Sequence, residues 1–186
     1  MGVSVLQIED LPHYMYKDYV QWEGRWELIQ GIPFAMVTTP AINHQRTVRN
    51  IETQLVNLLT DCPKCEVLAS VEWAIFDDTV VQPDVLVVCG DRDKIGDRKL
   101  EINPIIVFEV LSPSTSRKDK IIKYRLYEQA GLKYYCIVNF DTKSADLFCL
   151  NQDQTQYRKE DSIDGKITFN LDPCSLSFDF EKVFII

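Results

Sequence analysis

Residues 105–131 of the chain have the sequence IIVFEVLSPSTSRKDKIIKYRLYEQAG. The apolar start lacks polar alternation, which predicts a strand over 104–111 that is buried on both faces. Glu109 lies inside that strand, where a carboxylate is costly unless a cation or hydrogen bonds compensate its charge. A serine or threonine of SPSTS would cap the helix that follows, and Gly131 would end it.

A second carboxylate, Asp84, follows Pro83 within the apolar segment VVQPDVLVV. The pattern predicts a strand over 80–89. If the two strands are neighbours, the carboxylates of Asp84 and Glu109 converge at one point of the sheet. Mg²⁺ prefers such oxygen ligands, and the backbone carbonyl of Val110 would add another. The sequence therefore predicts a cation site, with purely structural carboxylates as the alternative.

The helix after the strand carries polar side chains at four-residue spacing: Asp119, Lys123 and Tyr127. This spacing places them along one helix face, from which Lys123 would reach over the strand ends toward Glu109. The alternative for Asp119 and Lys123 is an ordinary surface pair. The basic segment 117–125, RKDKIIKYR, would likewise be a solvated helix face.

The other segments predict an α/β or α+β fold in which a mixed sheet is flanked by two main helices. A helix over 41–60 shows the clearest helical period, and a strand–helix–strand unit over 104–140 favours a parallel pair. No repeat or flexible linker interrupts the chain, so we expect one domain over 1–186. The other predicted elements are a short helix over 8–20, strands within 25–38 turning at Gln30-Gly31, strands over 66–76 and 133–140, a turn at Asp77-Asp78, a loop over 90–103, and an antiparallel extension over 144–150, 154–160, 166–170 and 175–185.

Composition excludes several classes of protein. The chain has 186 residues, 46% of them hydrophobic, and a formal net charge of -8. An acidic protein is not expected to bind nucleic acid tightly without specificity. No apolar run reaches the roughly 18 residues needed for a membrane span, and the start lacks a signal-peptide pattern. We therefore expect a cytoplasmic protein without a membrane partner.

Six cysteines are present, and two of them form the pattern Cys62-Pro-Lys-Cys65. No second CxxC or nearby histidine pair completes a zinc pattern, and the pair follows a long helix rather than opening one, as a redox motif would. A structural loop and metal or redox chemistry remain the two interpretations. The other four cysteines lie within or beside apolar runs, which is typical of small core residues: Cys89, Cys136, Cys149 and Cys174.

The middle of the chain resembles the Uma-two family of the PD-(D/E)XK nuclease superfamily. The resemblance is carried by Pro83-Asp84, by Glu109 with LSPST, by Asp119xxxLys123xxxTyr127, and by KYYCIVN after Gly131. It extends to WELIQGIPFAMVTTPAINH, with Glu27 in a strand, Gly31 in a turn and His44 near a helix start. The closing segment LSFDFEKVF also resembles the family.

This resemblance implies a restriction-endonuclease-like core and a Mg²⁺- or Mn²⁺-dependent endonuclease that hydrolyses phosphodiester bonds of DNA. Asp84 and Glu109, with the Val110 carbonyl, would be metal ligands. The superfamily's lysine belongs two residues after the glutamate, where this chain has Leu111, so the role moves to Lys123 or is absent. The alternative is a noncatalytic binding or regulatory protein on a nuclease fold. Cleavage of both DNA strands would suit a homodimer.

Four further residues have two interpretations each. Glu27 would either face solvent or act as an outer metal ligand or base. His44 would be a surface histidine at a helix end or a site residue, as the resemblance implies. Ser112 and Thr115 would bind a phosphate at the helix N-terminus, or end the strand and cap the helix.

Overall fold

The computed structural model describes residues 11–36, 40–90, 95, 99–112, 116–161, 165–172 and 174–185. In these ranges no helix is both long and apolar enough to cross a membrane. The helices are α1 (Tyr16–Tyr19), α2 (Ile42–Leu58), a π-helix (Lys118–Lys123), α3 (Tyr124–Gln129) and a 3₁₀-helix (Phe180–Phe184). The strands are β1 (Trp26–Ile29), β2 (Ile32–Ala35), β3 (Cys65–Ala69), β4 (Glu72–Phe76), β5 (Thr79–Val81), β6 (Val85–Cys89), β7 (Lys99–Leu100), β8 (Ile106–Val110), β9 (Tyr134–Asn139), β10 (Ser144–Leu150), β11 (Tyr157–Glu160), β12 (Lys166–Asn170) and β13 (Ser175–Asp179).

A six-stranded mixed sheet forms the centre of the fold, with strand order β11-β10-β9-β8-β6-β3. Strands β8 and β9 are parallel and are joined through the π-helix and α3, which confirms the predicted strand–helix–strand unit. Strands β10 and β11 extend the sheet in antiparallel fashion, as predicted. The other two strands of the predicted extension, β12 and β13, instead form a separate two-stranded sheet. The fold class is therefore α+β with a mixed sheet.

Two predicted strands are each divided in the structure. Segment 66–76 is split between β3 and β4 at Ser70, whose positive φ of 54° ends the extended conformation. Segment 80–89 is split between β5 and β6 around Pro83, which has no N–H to continue a ladder. The chain thereby leaves the central sheet after β3 and returns to it at β6. Between these strands it contributes β4 and β5 to a second sheet of order β2-β1-β5-β4-β7.

The remaining differences lie at element ends. The predicted loop over 90–103 contains the short strand β7, and the predicted strand over 175–185 ends in the 3₁₀-helix. Of the predicted helix over 8–20, the described part is helical only at Tyr16–Tyr19. The turn at Asp77-Asp78 is confirmed between β4 and β5.

The central sheet is covered on both faces, and β8 shows how. Ile106, Phe108 and Val110 face a core built with α2 and the β12–β13 hairpin. Val107 faces the opposite core, to which Trp73 and Leu126 contribute from β4 and α3. Alternation along a strand puts Glu109 on the same face as Val107. The polar site is therefore enclosed between the two sheets and the helix.

The β1–β2 hairpin fixes the position of β1. Its two central turn residues, Gln30 and Gly31, have φ values of 49° and 74°, which matches the type I′ turn that suits antiparallel strands. Ile29 pairs with Ile32 across the turn, and the Gln30 N–H donates to Thr79 Oγ1 at 3.0 Å. A left-handed Gly31 thus sets the register that orients Glu27.

We predict that Gly31→Ala lowers the free energy of unfolding by more than the roughly 1–2 kcal/mol expected for a left-handed alanine alone. A Cβ at this position would also overlap the His13 ring. Chemical denaturation of Gly31→Ala and of the His13→Ala, Gly31→Ala double variant separates the two effects. The double variant should recover only the part due to the overlap. Wild-type stability of Gly31→Ala would contradict this account.

Candidate active site

The two strand carboxylates come to one point of the central sheet. Strands β6 and β8 are antiparallel neighbours, with Val85 opposite Phe108, so Asp84 lies opposite Glu109 at the end of the ladder. The Val110 N–H donates to Asp84 Oδ2 at 2.8 Å. The predicted adjacency of the strands is confirmed, and it brings both carboxylates and the Val110 peptide together.

Lys123 bridges two acidic side chains from different sheets. Its Nζ lies 2.7 Å from Glu109 Oε1 and 2.8 Å from Glu27 Oε1. Asp119 Oδ1 lies 3.8 Å away, and the Tyr127 hydroxyl donates to Glu109 Oε1 at 2.9 Å. Asp119 and Lys123 are each only 2% exposed, so the surface-pair interpretation is wrong. The four-residue spacing did indicate a shared face.

Glu27 is fully buried, so the interpretation that it faces solvent is wrong. Its Oε1 accepts the Gln82 N–H at 3.0 Å and contacts Lys123, while its Oε2 forms an ion pair with Lys118. The sequence did not single out Lys118 or Gln82. Gln82 directly precedes the Pro83-Asp84 motif, and that was the available signal.

The π-helix explains why two lysines reach one carboxylate. In an α-helix, Lys118 and Lys123 would project about 140° apart. The wider i→i+5 turn of a π-helix brings residues five apart to the same face. The basic segment 117–125 is therefore divided: Lys118 and Lys123 turn inward, while Arg117, Lys120 and Arg125 are exposed.

His44 lies in the first turn of α2 and is buried, so the surface interpretation is wrong. Its Nε2 lies 3.3 Å from Asp84 Oδ2. Burial would lower the pKa of His44, but the hydrogen bond and charge of Asp84 raise it above its ordinary value. The imidazole thus borders the carboxylate end of the site.

The pKa values of Glu27 and Glu109 are shifted in opposite directions by burial and by the neighbouring charges. Burial would raise the pKa of Glu27, but Lys123 and Lys118 lower it to about 2. Burial raises the pKa of Glu109 well above its ordinary value despite the attraction of Lys123. Burial would lower the pKa of Lys123, yet Glu109, Glu27 and Asp119 raise it well above its ordinary value. Lys123 is therefore an ammonium group in this arrangement.

The remaining candidates lie at the strand end. The Ser112 carbonyl accepts the Ser116 N–H at 3.0 Å, which supports the role of ending the strand before the helix. Thr115 falls outside the described residues. Leu111, at the position of the superfamily's lysine, is buried in the core that faces α3.

The comparisons with known proteins identify the family of the chain. The family model Uma2, described as "Putative restriction endonuclease", matches residues 16–177. The chain belongs to the Uma2 family. The uncharacterized protein slr1290 of Synechocystis sp. is 32% identical over 149 residues, which cover 76% of this chain and 77% of the relative. The family is thus of nuclease type, and the predicted resemblance is confirmed.

A solved structure shares the fold of this Uma2 chain. It is described as a "putative nuclease belonging to DUF820" from Anabaena variabilis, and it superposes with a TM-score of 0.75 at 14% identity. The match covers 92% of this chain and 97% of the other. The likeness confirms the nuclease-like fold predicted from the sequence.

We predict that Glu27→Gln lowers the free energy of unfolding by about 3–5 kcal/mol, since the buried Lys123 and the partly buried Lys118 both lose the carboxylate they share. The matched control is Glu101→Gln. Glu101 pairs with Lys99 at 2.7 Å but its side chain is 66% exposed, so the loss should stay below about 1 kcal/mol. Denaturant unfolding of both variants measures the difference. Similar losses in the two would show that Glu27 is no more important to stability than a surface residue.

Proposed function

We propose that the chain is a Mg²⁺- or Mn²⁺-dependent endonuclease that hydrolyses phosphodiester bonds of DNA. The observation that carries this proposal is that Asp84 and Glu109 lie opposite each other where the inner strands β6 and β8 begin and end, with Lys123 bound to Glu109. Membership of the Uma2 family supports it. The metal, the substrate and the residue roles below are parts of the proposal.

The donor set fits a hard divalent cation. Asp84, Glu109 and the Val110 carbonyl offer oxygen ligands on adjacent strands, as such cations prefer. The cluster also has more carboxylates than ammonium groups: Glu27, Asp84, Glu109 and Asp119 against Lys118 and Lys123. A divalent cation there would polarise a phosphoryl oxygen and lower the pKa of a water molecule.

The lysines have a role that does not require loss of a proton. Lys123 is held as an ammonium group by three carboxylates, so it would stabilise negative charge that develops on the phosphate rather than act as a base. Lys118, with 13% of its side chain exposed, lies nearer the surface and would contact the phosphate first. The two lysines of the helix would thus supply the positive charge that a lysine at position 111 supplies in the superfamily.

The fully buried residues would position the others. Glu27 has no exposed surface, so it would hold Lys118 and Lys123 in place without touching substrate. Tyr127 donates to Glu109 and would orient that carboxylate in the same way. Asp84, whose side chain is 22% exposed, marks the side from which a phosphate would enter.

DNA is proposed as the substrate despite the acidic net charge. Arg117, Lys120 and Arg125 are exposed on the helix that bears the inward lysines, so they would contact phosphates beside the site. We further propose a homodimer, because a two-fold pair of sites matches the two strands of duplex DNA. Sedimentation with and without duplex DNA would test the dimer separately from cleavage.

We predict that Asp84→Asn abolishes the specific binding of Mn²⁺ and lowers the rate of plasmid cleavage by about 100-fold or more. Asp146→Asn is the control, because Asp146 lies on the surface with its side chain 40% exposed and pairs with Lys159. Calorimetric titration measures binding and gel analysis measures cleavage. Equal Mn²⁺ affinity in wild type and Asp84→Asn would reject the site, and cleavage in a chelator would reject the mechanism.

We predict that Lys123→Met retains Mn²⁺ binding but lowers the cleavage rate about 10²–10³-fold, as loss of a preorganised charge does. Lys159→Met should leave the rate unchanged, since Lys159 lies on β11, outside the site, with its side chain 58% exposed. Circular dichroism at the assay temperature must show that both variants are folded. Wild-type protein that binds DNA with Mg²⁺ or Mn²⁺ but never cleaves it would favour the noncatalytic binding protein.

A further inference from the structure

Four cysteines converge at the end of the central sheet away from the carboxylates. Cys65 pairs with Cys89 where β3 begins and β6 ends, whereas Asp84 precedes the start of β6. The five residues of β6 separate the two clusters by about 16 Å. Cys62 lies just beyond the end of α2, and His44 lies at its beginning. The cysteine cluster and the candidate active site thus share two elements but lie at their opposite ends.

Three of the sulfur atoms form one group that spans both disulfides, and the fourth, that of Cys89, is bonded to one of them. Disulfides join Cys62 to Cys174 and Cys65 to Cys89. Cys62 Sγ and Cys65 Sγ, which belong to different disulfides, are only 3.6 Å apart. The sulfur atoms of Cys62, Cys65 and Cys174 all lie within 4.8 Å of one another. Cys89 and Cys174, predicted to be small core residues, do pack against the core, but each is also bonded in a disulfide.

The CxxC segment closes as a β-turn. The Cys65 N–H donates to the Cys62 carbonyl at 2.9 Å, so the CxxC segment closes a tight turn with both sulfurs on one side. Four sulfurs placed about 2.3 Å from one tetrahedral Zn²⁺ ion would be about 3.8 Å apart. The 3.6 Å separation across the two disulfides is close to that spacing.

We propose that the reduced form of this cluster binds one Zn²⁺ ion through the thiolates of Cys62, Cys65, Cys89 and Cys174. Reduction of each disulfide takes two electrons and two protons, which a phosphine and one water molecule supply as the phosphine becomes its oxide. The four thiols then lose their protons as the metal binds. Thiolates select Zn²⁺ over the hard cations that suit the carboxylate site.

The proposed zinc site would be structural. Its ligands come from the loop after α2, from β3, from β6 and from the residue before β13. The ion would join the β12–β13 hairpin and α2 to the edge of the central sheet. It would therefore stabilise the far ends of the two elements that bear His44 and Asp84, without contact with the substrate.

Titration of the full-length, phosphine-reduced protein with Co²⁺ tests the proposal, because tetrahedral Co²⁺–thiolate has visible and charge-transfer absorption that carboxylates do not give. We expect the thiolate absorption to saturate at one Co²⁺ per chain and to disappear on addition of one equivalent of Zn²⁺. Cys174→Ser should weaken binding about 100-fold. Cys149→Ser is the control, since Cys149 is a free thiol on β10. Absence of the thiolate spectrum, or equal affinity in Cys174→Ser and wild type, would overturn the proposal.

A second measurement on the wild-type protein remains decisive if a serine variant does not fold. Zn²⁺ should slow alkylation of the four cluster cysteines, as mapped by mass spectrometry, and leave the rate at Cys149 unchanged. Alkylation at the same rate with and without Zn²⁺ would overturn the site. So would disulfides that stay intact in the folded protein under the phosphine, because the cluster would then be two structural disulfides only.

Discussion

The ammonium group of Lys123 lies between two buried carboxylates, and the arrangement of both sheets depends on it. Glu27 belongs to β1 in the five-stranded sheet, Glu109 belongs to β8 in the central sheet, and Lys123 contacts both within 2.8 Å. All three are nearly inaccessible to water. Removal of Lys123 would leave the buried Glu109 without the ammonium group it pairs with. The bridge therefore couples the packing of the two sheets to the position of the helix.

Stability alone does not account for such a cluster. A buried ion pair can often be replaced by apolar residues of similar volume with no loss of stability. Here the surrounding core is already apolar, with Trp73 and Tyr135 packed against Tyr127. Apolar side chains could therefore fill the volume that the buried ion pairs occupy. The surplus of carboxylates over ammonium groups, with Asp84 and Lys118 partly open to solvent, supports the proposal of a site that receives a cation and an anionic substrate.

Local sequence patterns were enough to predict the parts of the site that depend on residues close together in the chain. The buried strand with Glu109, the hairpin at Gln30-Gly31 and the alignment of Lys123 with Tyr127 all follow from spacings of two to five residues. The inward turn of Lys118 required a π-helix, whose i→i+5 bonds leave no distinct signal in the sequence. The cysteine pairing joins residues up to 112 positions apart, and local periodicity carries no information at that distance.

The departures from the superfamily pattern form one consistent change. Leu111 and Glu109 lie on the same face of β8, so a lysine at 111 would approach Glu109 from the strand. In this chain that position packs into the core with Leu126, and the ammonium group comes from the helix instead. The π-helix that places Lys123 beside Glu109 also turns Lys118 inward. A second ammonium group drawn toward the interior requires a carboxylate partner. Glu27 meets that requirement, so we infer that Leu111, the π-helix and Glu27 depend on one another.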